Sequence, residues 1–250
     1  MRHNCLILGS GRSGTSLLAG TLHSAGYFLG HQLLPPGSDN PKGFYEDREI
    51  NSINEVLLSG VTPPQPPGCT ARADDAVLWG WRWLADVPGD ATFSCTPALA
   101  TQIRTLTRNI PYCFKDPRFC YTLPVWRPYL DDCVFLCVFR EPAHTAHSIL
   151  KVCERGEYLH GLEIDFQEAL QRWLSMYRQV LDIHRKQGDW LFLHYRQILN
   201  ASGIPRLEAF LNTRIESEFA DVRLARTLEG GDVPHEAVAV YEHLCDLAEF

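Results

Sequence analysis

The stretch Gly9-Ser10-Gly11-Arg12-Ser13-Gly14-Thr15-Ser16, close to the start of the chain, predicts a phosphate-binding loop. It follows the apolar run Cys5-Leu6-Ile7-Leu8, which is typical of a strand, and precedes Leu17-Leu18-Ala19-Gly20-Thr21-Leu22, the apolar start of a helix. Glycines let a backbone approach an anion closely, and the free N–H groups and dipole of a helix N-terminus favour negative charge. We therefore expect residues 9–16, the glycine-rich loop, to hold a phosphate group.

The spacing of this loop nearly matches the P-loop of nucleoside triphosphatases, but one residue differs. Thr15 stands where that motif needs lysine. Because the lysine of a P-loop contacts the terminal phosphates, its absence argues against ordinary ATP or GTP hydrolysis. Arg12 supplies a cation from within the loop instead. The expected ligand is therefore a phosphate compound other than a nucleoside triphosphate.

The composition is that of an ordinary globular protein. With 250 residues, of which 45% are apolar and 21% charged, the chain is expected to form a single domain, residues 1–250. Its 23 basic and 30 acidic residues give a formal net charge of −7, which argues against a general nucleic acid-binding protein. No signal-peptide pattern and no apolar run of about 18 residues are evident, so we expect no membrane span.

The cysteines indicate a reducing compartment. There are nine, an odd number, without a CxxC pair or a spacing typical of Cys/His metal ligands. Cys113, Cys133 and Cys137 lie in apolar, strand-like runs, where a free thiol acts as a small hydrophobic group. We expect a cytoplasmic protein with no structural metal; a disulfide framework is the less favoured alternative.

Apolar runs alternate with helical patterns along the rest of the chain. Strands are expected at residues 112–114, 133–139 and 190–194, and the second of these is continuously apolar, as in a parallel strand buried on both faces. Helical periodicity is expected over residues 50–57, 97–108, 142–151, 166–181 and 235–247. This alternation predicts an α/β fold: a P-loop-like open parallel sheet with right-handed crossovers and helices on both faces.

Three anion-binding elements are expected at one edge of that sheet. The glycine-rich loop, Lys115 and Arg140 each follow a predicted strand, and ligands of open parallel sheets bind at the carboxyl ends of the strands. Arg140, with Ser148 about two helical turns further on, is suited to a second phosphate. A small molecule with two separated phosphates would suit this arrangement.

The ordered set of motifs resembles the sulfotransferases that use 3′-phosphoadenosine 5′-phosphosulfate (PAPS). Gly11-Arg12-Ser13-Gly14-Thr15-Ser16, with Phe139-Arg140-Glu141-Pro142 and Ser148, is similar to the two-part signature of that family. Lys115-Asp116-Pro117 and His194-Tyr195 follow the family order, so the resemblance spans most of the chain. It implies that the loop binds the 5′-phosphosulfate and that Arg140 and Ser148 bind the 3′-phosphate.

Other parts of the sequence place the resemblance within the family. Lys42-Gly43-Phe44-Tyr45-Glu46 and the Lys-Asp-Pro element are closer to bacterial and tyrosylprotein-type members than to cytosolic animal ones. The Arg-Lys-Gly motif of the cytosolic animal members is not evident. Tyr195 is followed by Arg196-Gln197, where family members often carry an acidic pair.

The resemblance implies in-line transfer of a sulfuryl group from PAPS to a hydroxyl or amine of a small-molecule or peptide acceptor. The desulfated nucleotide PAP is then the product, and no metal ion is needed in principle. Arg12 and Lys115 are expected to stabilise charge on the leaving phosphate. Glu46 is expected to be the catalytic base, because a glutamate at the corresponding place serves so in tyrosylprotein sulfotransferases.

Each of these roles has an alternative. Glu46 could instead complement the dipole at a helix start, and Asp47, His31 and His144 are other candidate bases. Lys115 could be the ion-pair partner of a neighbouring carboxylate, either Asp116 or Glu46.

The activity also has alternatives. A P-loop kinase would use Asp116 or Asp47 as base or magnesium ligand, and a non-catalytic nucleotide-binding protein would keep only the fold. Trp79, Trp81 and Trp83 predict either part of an acceptor pocket or, more commonly for such a cluster, core packing. The sequence specifies neither the acceptor nor the oligomeric state.

Overall fold

A parallel sheet of four strands lies at the centre of the computed structural model. The structure describes residues 1–37, 40–66, 80–155, 159, 162–215 and 231–250. In chain order the strands are β1 (Asn4–Leu8), β2 (Cys113–Lys115), β3 (Cys133–Phe139) and β4 (Trp190–His194). Their spatial order is β2-β1-β3-β4, so the strand that carries the glycine-rich loop is central.

The strand register brings the carboxyl ends of all four strands to one edge. Ile7 of β1 pairs with Lys115 of β2, and Phe139 of β3 pairs with His194 of β4. Parallel strands in this register place the residues that follow them side by side. The glycine-rich loop therefore shares the edge with Lys115 and Arg140, as predicted, and also with the segment after His194.

Helices pack on both sides of this sheet. The described parts of the chain contain nine α-helices: α1 (Thr15–Ser24), α2 (Arg48–Ser59), α3 (Pro97–Thr107), α4 (Phe119–Trp126), α5 (Pro142–Arg155), α6 (Phe166–Arg178), α7 (Tyr195–Leu199), α8 (Ile204–Leu211) and α9 (His235–Ala248). The Cys5 and Ile7 side chains of β1 pack with α1, α7 and α8, whereas Leu6 and Leu8 pack in the larger core formed with the other helices. Alternate residues of a strand point to opposite faces, so both faces are covered. This confirms the predicted α/β fold.

Two helical segments differ from the sequence prediction. The pattern over residues 166–181 predicts one helix, but α6 ends at Arg178 and continues as a wider π turn, Gln179–Ile183, and a 3-10 turn, His184–Lys186. The change of winding buries His184, whose Nε2 atom lies 2.9 Å from the carbonyl oxygen of Cys120. The second segment, α4, is apolar nearly all round and contains Pro124, so it lacks the periodic pattern that would have predicted it.

Two further properties concern only the described residues. No helix there is long and apolar enough to span a membrane. The eight cysteines within these residues are free thiols.

Candidate active site

The glycine-rich loop adopts a conformation that only glycine tolerates at two points. Gly9 has φ +141°, and a Cβ atom there would overlap the carbonyl oxygen of Val138 in β3. Gly14, with φ +95°, is the N-cap of α1, and no side chain in the described chain caps that helix. The N–H groups of Thr15 and Ser16 are therefore not taken up by a capping side chain, which suits an anion site at a helix N-terminus.

Two aromatic side chains lie directly against the loop. A Cβ atom on Gly11 would overlap the indole ring of Trp83, and one on Gly14 would overlap the ring of Tyr195. Trp81 and Trp83 are 3% and 5% exposed and belong to the main core, which favours the core-packing alternative for these two residues. Trp79 lies outside the described residues.

Tyr177 of α6 holds the loop to the sheet, a role that its sequence position does not indicate. Its hydroxyl accepts a hydrogen bond from the backbone N–H of Ser10 (3.2 Å) and donates one to the carbonyl oxygen of Val138 (2.8 Å). The sequence shows Tyr177 only as part of an apolar helical stripe. A core tyrosine and a loop-supporting tyrosine look alike in such a pattern.

Lys115 lies between the loop and Glu46. Its ammonium group donates a hydrogen bond to Ser16 Oγ at 3.2 Å and forms an ion pair with Glu46 Oε1. Its side chain is only 2% exposed, so these two contacts hold the charge at the edge of the sheet. Of the two carboxylates considered as partners for Lys115, it pairs with Glu46.

Asp116 instead belongs to a buried ionic cluster beneath the site. Its Oδ1 atom lies 2.9 Å from the guanidinium of Arg118, which also bonds Glu55 at 2.7 Å. Burial raises the pKa of Asp116, and the charge of Glu46 raises it further, while Arg118 and Asn54 act in the opposite direction. This cluster anchors the segment after β2.

Glu46 is held as a carboxylate by partners on both oxygens. Lys115 occupies Oε1, and the amide of Asn51 donates to Oε2 at 2.9 Å. Burial raises the pKa of Glu46, but the charges of Lys115 and Arg118 and the hydrogen bonds from Lys115 and Asn51 outweigh it, so the net pKa is lowered.

Asp47 has a different position, as the N-cap of α2. Its carboxylate accepts hydrogen bonds from the backbone N–H groups of Gln32 (2.6 Å), Glu49 (2.9 Å) and Ile50 (3.3 Å). Asp47 therefore caps the helix, whereas the side chain of Glu46 faces Lys115.

The two candidate histidines make other contacts. His31 is exposed and packs edge-on against Phe28, with ring centroids 4.8 Å apart. His144, on α5, lies 3.4 Å from Glu141 at the end of β3.

The second predicted phosphate element is joined to the loop through side chains. The Nε atom of Arg12, a residue with φ +70°, donates to Ser148 Oγ of α5 at 3.2 Å. The guanidinium of Arg140 lies over the ring of Tyr195, 4.9 Å from its centroid, and that ring also abuts Gly14. Arg12, Arg140 and Ser148 are thus gathered around the same loop.

Glu141 balances the positive charge beside Arg140. It lies 2.7 Å from Arg196 and 3.7 Å from buried His194. Burial raises the pKa of Glu141, but the hydrogen bond from His194 and the charges of His194 and Arg196 lower it to about 2. The position of Arg196 is thereby explained, because its guanidinium pairs with Glu141.

Comparisons with known proteins identify the fold. No family model matches the sequence, and no curated protein matches it either. Among solved structures, the sulfotransferase domain of the Synechococcus PCC 7002 olefin synthase superposes with a TM-score of 0.53 at 16% identity, covering 97% of this chain and 94% of that one.

Two further structures agree over similar lengths. The sulfotransferase domain from the curacin biosynthetic pathway gives a TM-score of 0.59 at 14% identity and covers 98% of each chain. The sulfotransferase from Alicyclobacillus acidocaldarius gives 0.52 at 14% identity, covering 100% of this chain and 95% of its own. At the level of the fold, the resemblance drawn from the sequence motifs is confirmed: the chain has the fold of the bacterial sulfotransferases.

Proposed function

We propose that this protein is a sulfotransferase that moves the sulfuryl group of PAPS to a hydroxyl or amine of an acceptor. The observation that carries the proposal is the position of Lys115, which contacts both Ser16 of the glycine-rich loop and the carboxylate of Glu46. The loop predicted to hold a phosphate, a cation and a candidate base are thus in mutual contact. The sulfotransferase fold supports the same function.

The residues around the loop suit a ligand with two anionic groups. The 5′-phosphosulfate would bind at the uncapped N-terminus of α1, where Arg12 and Lys115 supply positive charge. The other loop residues expected to bind it are Gly11, Ser13, Gly14, Thr15 and Ser16. Arg140 and Ser148 would hold the 3′-phosphate. PAPS, when bound, supplies the activated sulfuryl group.

The protein itself would contribute charge stabilisation and a catalytic base to the reaction. Arg12 and Lys115 would stabilise negative charge on the departing phosphate, and one such donor contributes about 3–4 kcal/mol to a transition state. Glu46 would accept the proton of the acceptor. Because the pKa of Glu46 is lowered, its carboxylate is ionised at neutral pH and can take up that proton.

The surroundings of two aspartates argue against the kinase alternative. Asp116 is bonded to Arg118 and Asn54, and Asp47 caps α2. Both residues that a kinase would use as base or magnesium ligand are thus engaged in structural contacts.

The proposal can be tested in two steps with the whole protein. We expect PAP alone to raise the melting temperature, whereas ATP with magnesium leaves it unchanged. We then expect mass spectrometry to find added sulfate on a member of a panel of hydroxylated and amine acceptors in the presence of PAPS. Stabilisation by ATP only with magnesium would favour a kinase, and PAP binding without transfer across the panel would favour a non-catalytic protein.

A further inference from the structure

Asn51, in the first turns of α2, contacts the candidate base directly. Its side-chain amide donates to Glu46 Oε2 at 2.9 Å, and the residue is only 1% exposed. Lys115 contacts the other carboxylate oxygen. The last torsion of a glutamate side chain is broad, so the carboxylate plane is fixed only when both oxygens are held.

The other half of the Asn51 amide distinguishes it from an ordinary core asparagine. Its Oδ1 atom is buried and accepts no hydrogen bond from the described residues. Asn54, one turn later in the same helix, has both halves bonded: Nδ2 to Asp116, and Oδ1 to Thr122 (2.8 Å) and Trp126 (2.9 Å). An unsatisfied buried oxygen destabilises a fold, so Asn51 is poorly explained as a stabilising core residue.

We propose that Asn51 is the positioning residue of Glu46, fixing the orientation of its carboxylate for proton transfer. This inference rests on the proposed function for the role of Glu46, but not for the contact itself. Lys115 has a second task at the leaving phosphate, and its ammonium group sits on a flexible stem. Asn51 projects from a helix, so its hydrogen bond to Oε2 can persist whether Lys115 contacts Glu46 or the leaving phosphate.

The first test measures the carboxylate itself and needs no activity. The carboxyl carbon of ¹³C-labelled Glu46 is titrated by NMR in the whole protein, the wild type being compared with Asn51→Leu and Asn51→Asp. Leucine removes the donor at similar volume, and aspartate adds a like charge, so both should raise the pKa of Glu46 while Lys115, Arg118 and Asp116 stay in place. An unchanged titration in Asn51→Leu would overturn the proposal.

The second test separates positioning from stability. Asn51→Leu should lower kcat at least about tenfold, part of the roughly 10²–10⁴-fold contribution of a positioned base, and leave the KM for PAPS within about twofold. The acid limb of its kcat–pH profile should move to higher pH, while the melting temperature changes little. A loss that appears only in KM, or only as a smaller folded fraction, would contradict the inference.

Thr122→Val is the matched control for both tests. Thr122 of α4 is also a buried polar residue, but its hydroxyl donates to Asn54 and the carbonyl oxygen of Arg118 rather than to Glu46. This variant should melt at lower temperature with an unchanged pH profile and an unchanged Glu46 titration. If the wild type transfers no sulfuryl group, the proposed function fails, whereas the titration still decides whether Asn51 controls Glu46.

Discussion

Two neighbouring carboxylates, Glu46 and Asp47, have opposite surroundings in this molecule. Asp47 is 1% exposed and accepts three backbone N–H groups, whereas Glu46 faces the ammonium of Lys115 at the edge of the sheet. A carboxylate that caps a helix has its lone pairs committed to stability. Of the two residues, Glu46 is therefore the one that can give up its contact with Lys115 and accept a proton from the acceptor molecule.

This difference predicts opposite effects of two similar substitutions. Glu46→Gln should lower turnover by about 10²–10⁴-fold because the proton acceptor is lost, while PAP binding is retained. Asp47→Asn should instead lower the free energy of unfolding by about 1–3 kcal/mol, with turnover per folded molecule kept, because the asparagine oxygen can still cap α2 but its NH2 group cannot accept the N–H of Gln32. Single-turnover assays, PAP titration and denaturant unfolding measure the three quantities. Near-normal turnover in Glu46→Gln would show that Glu46 is not the catalytic base.

Arg140 provides a second prediction at the scale of one side chain. If its guanidinium binds the 3′-phosphate, Arg140→Ala should weaken PAP binding by about 30- to 100-fold, as expected for a lost charge-assisted hydrogen bond. Adenosine 5′-phosphosulfate, which lacks that phosphate, serves as the control ligand and should bind almost equally to both proteins. Calorimetric titration of the two ligands checks this, and equal losses for both would show that Arg140 does not bind the 3′-phosphate.

At the scale of elements, α6 supports the glycine-rich loop through one hydroxyl group. Tyr177→Phe removes that hydroxyl and leaves the Ser10 N–H and the Val138 carbonyl without it. Because an unsatisfied buried polar group costs about 1–3 kcal/mol, we expect a melting temperature lower by several degrees and PAP binding weakened several-fold.

A matched substitution separates this role from the general loss of a buried hydroxyl. The hydroxyl of Tyr121 is also buried but has no hydrogen-bond partner in the described part of the chain. Tyr121→Phe should therefore leave PAP affinity unchanged and stability equal or slightly higher. Calorimetry measures the PAP affinity of both variants. An equal loss in the two would show that the Tyr177 hydroxyl has no specific role in supporting the glycine-rich loop.

How much could be predicted from the sequence also differs by element. The strand over residues 133–139 is continuously apolar, so it was predictable to the residue, whereas β2 begins one residue later than predicted. Glycine spacing revealed the loop because its backbone geometry depends on residue type. Tyr177, Asn51 and Trp83 act through contacts between distant segments, and no local pattern encodes such contacts.

At the scale of the whole molecule, acidic residues balance the cations that gather at the edge of the sheet. The chain has a net charge of −7, yet Arg12, Lys115 and Arg140 surround one loop. Glu46 and Glu141 lie among these cations, and both have a lowered pKa. Glu141 in addition joins the end of β3 to His194 of β4 and to Arg196 of α7. The stability of the molecule should therefore depend on these carboxylates staying ionised.

Comparing the wild type with Glu141→Gln across the acidic range tests this dependence. The pKa of Glu141 is about 2 in the folded protein and roughly 4.3 in an unfolded chain, so folding favours its ionised form. The resulting stability is fully present above about pH 5, decreases as the pH falls towards 2 and is absent below that value.

The pKa of Asp116 is shifted in the opposite sense, so protonation of that residue opposes the trend in the overall profile. Only the difference between the wild type and Glu141→Gln isolates Glu141. We expect this difference in the free energy of unfolding to be on the order of 1 kcal/mol at neutral pH, because solvent partly screens the carboxylate, and to vanish near pH 2. Urea unfolding at a series of pH values measures it. A difference that is constant over the whole range would mean that Glu141 contributes through packing and not through its charge.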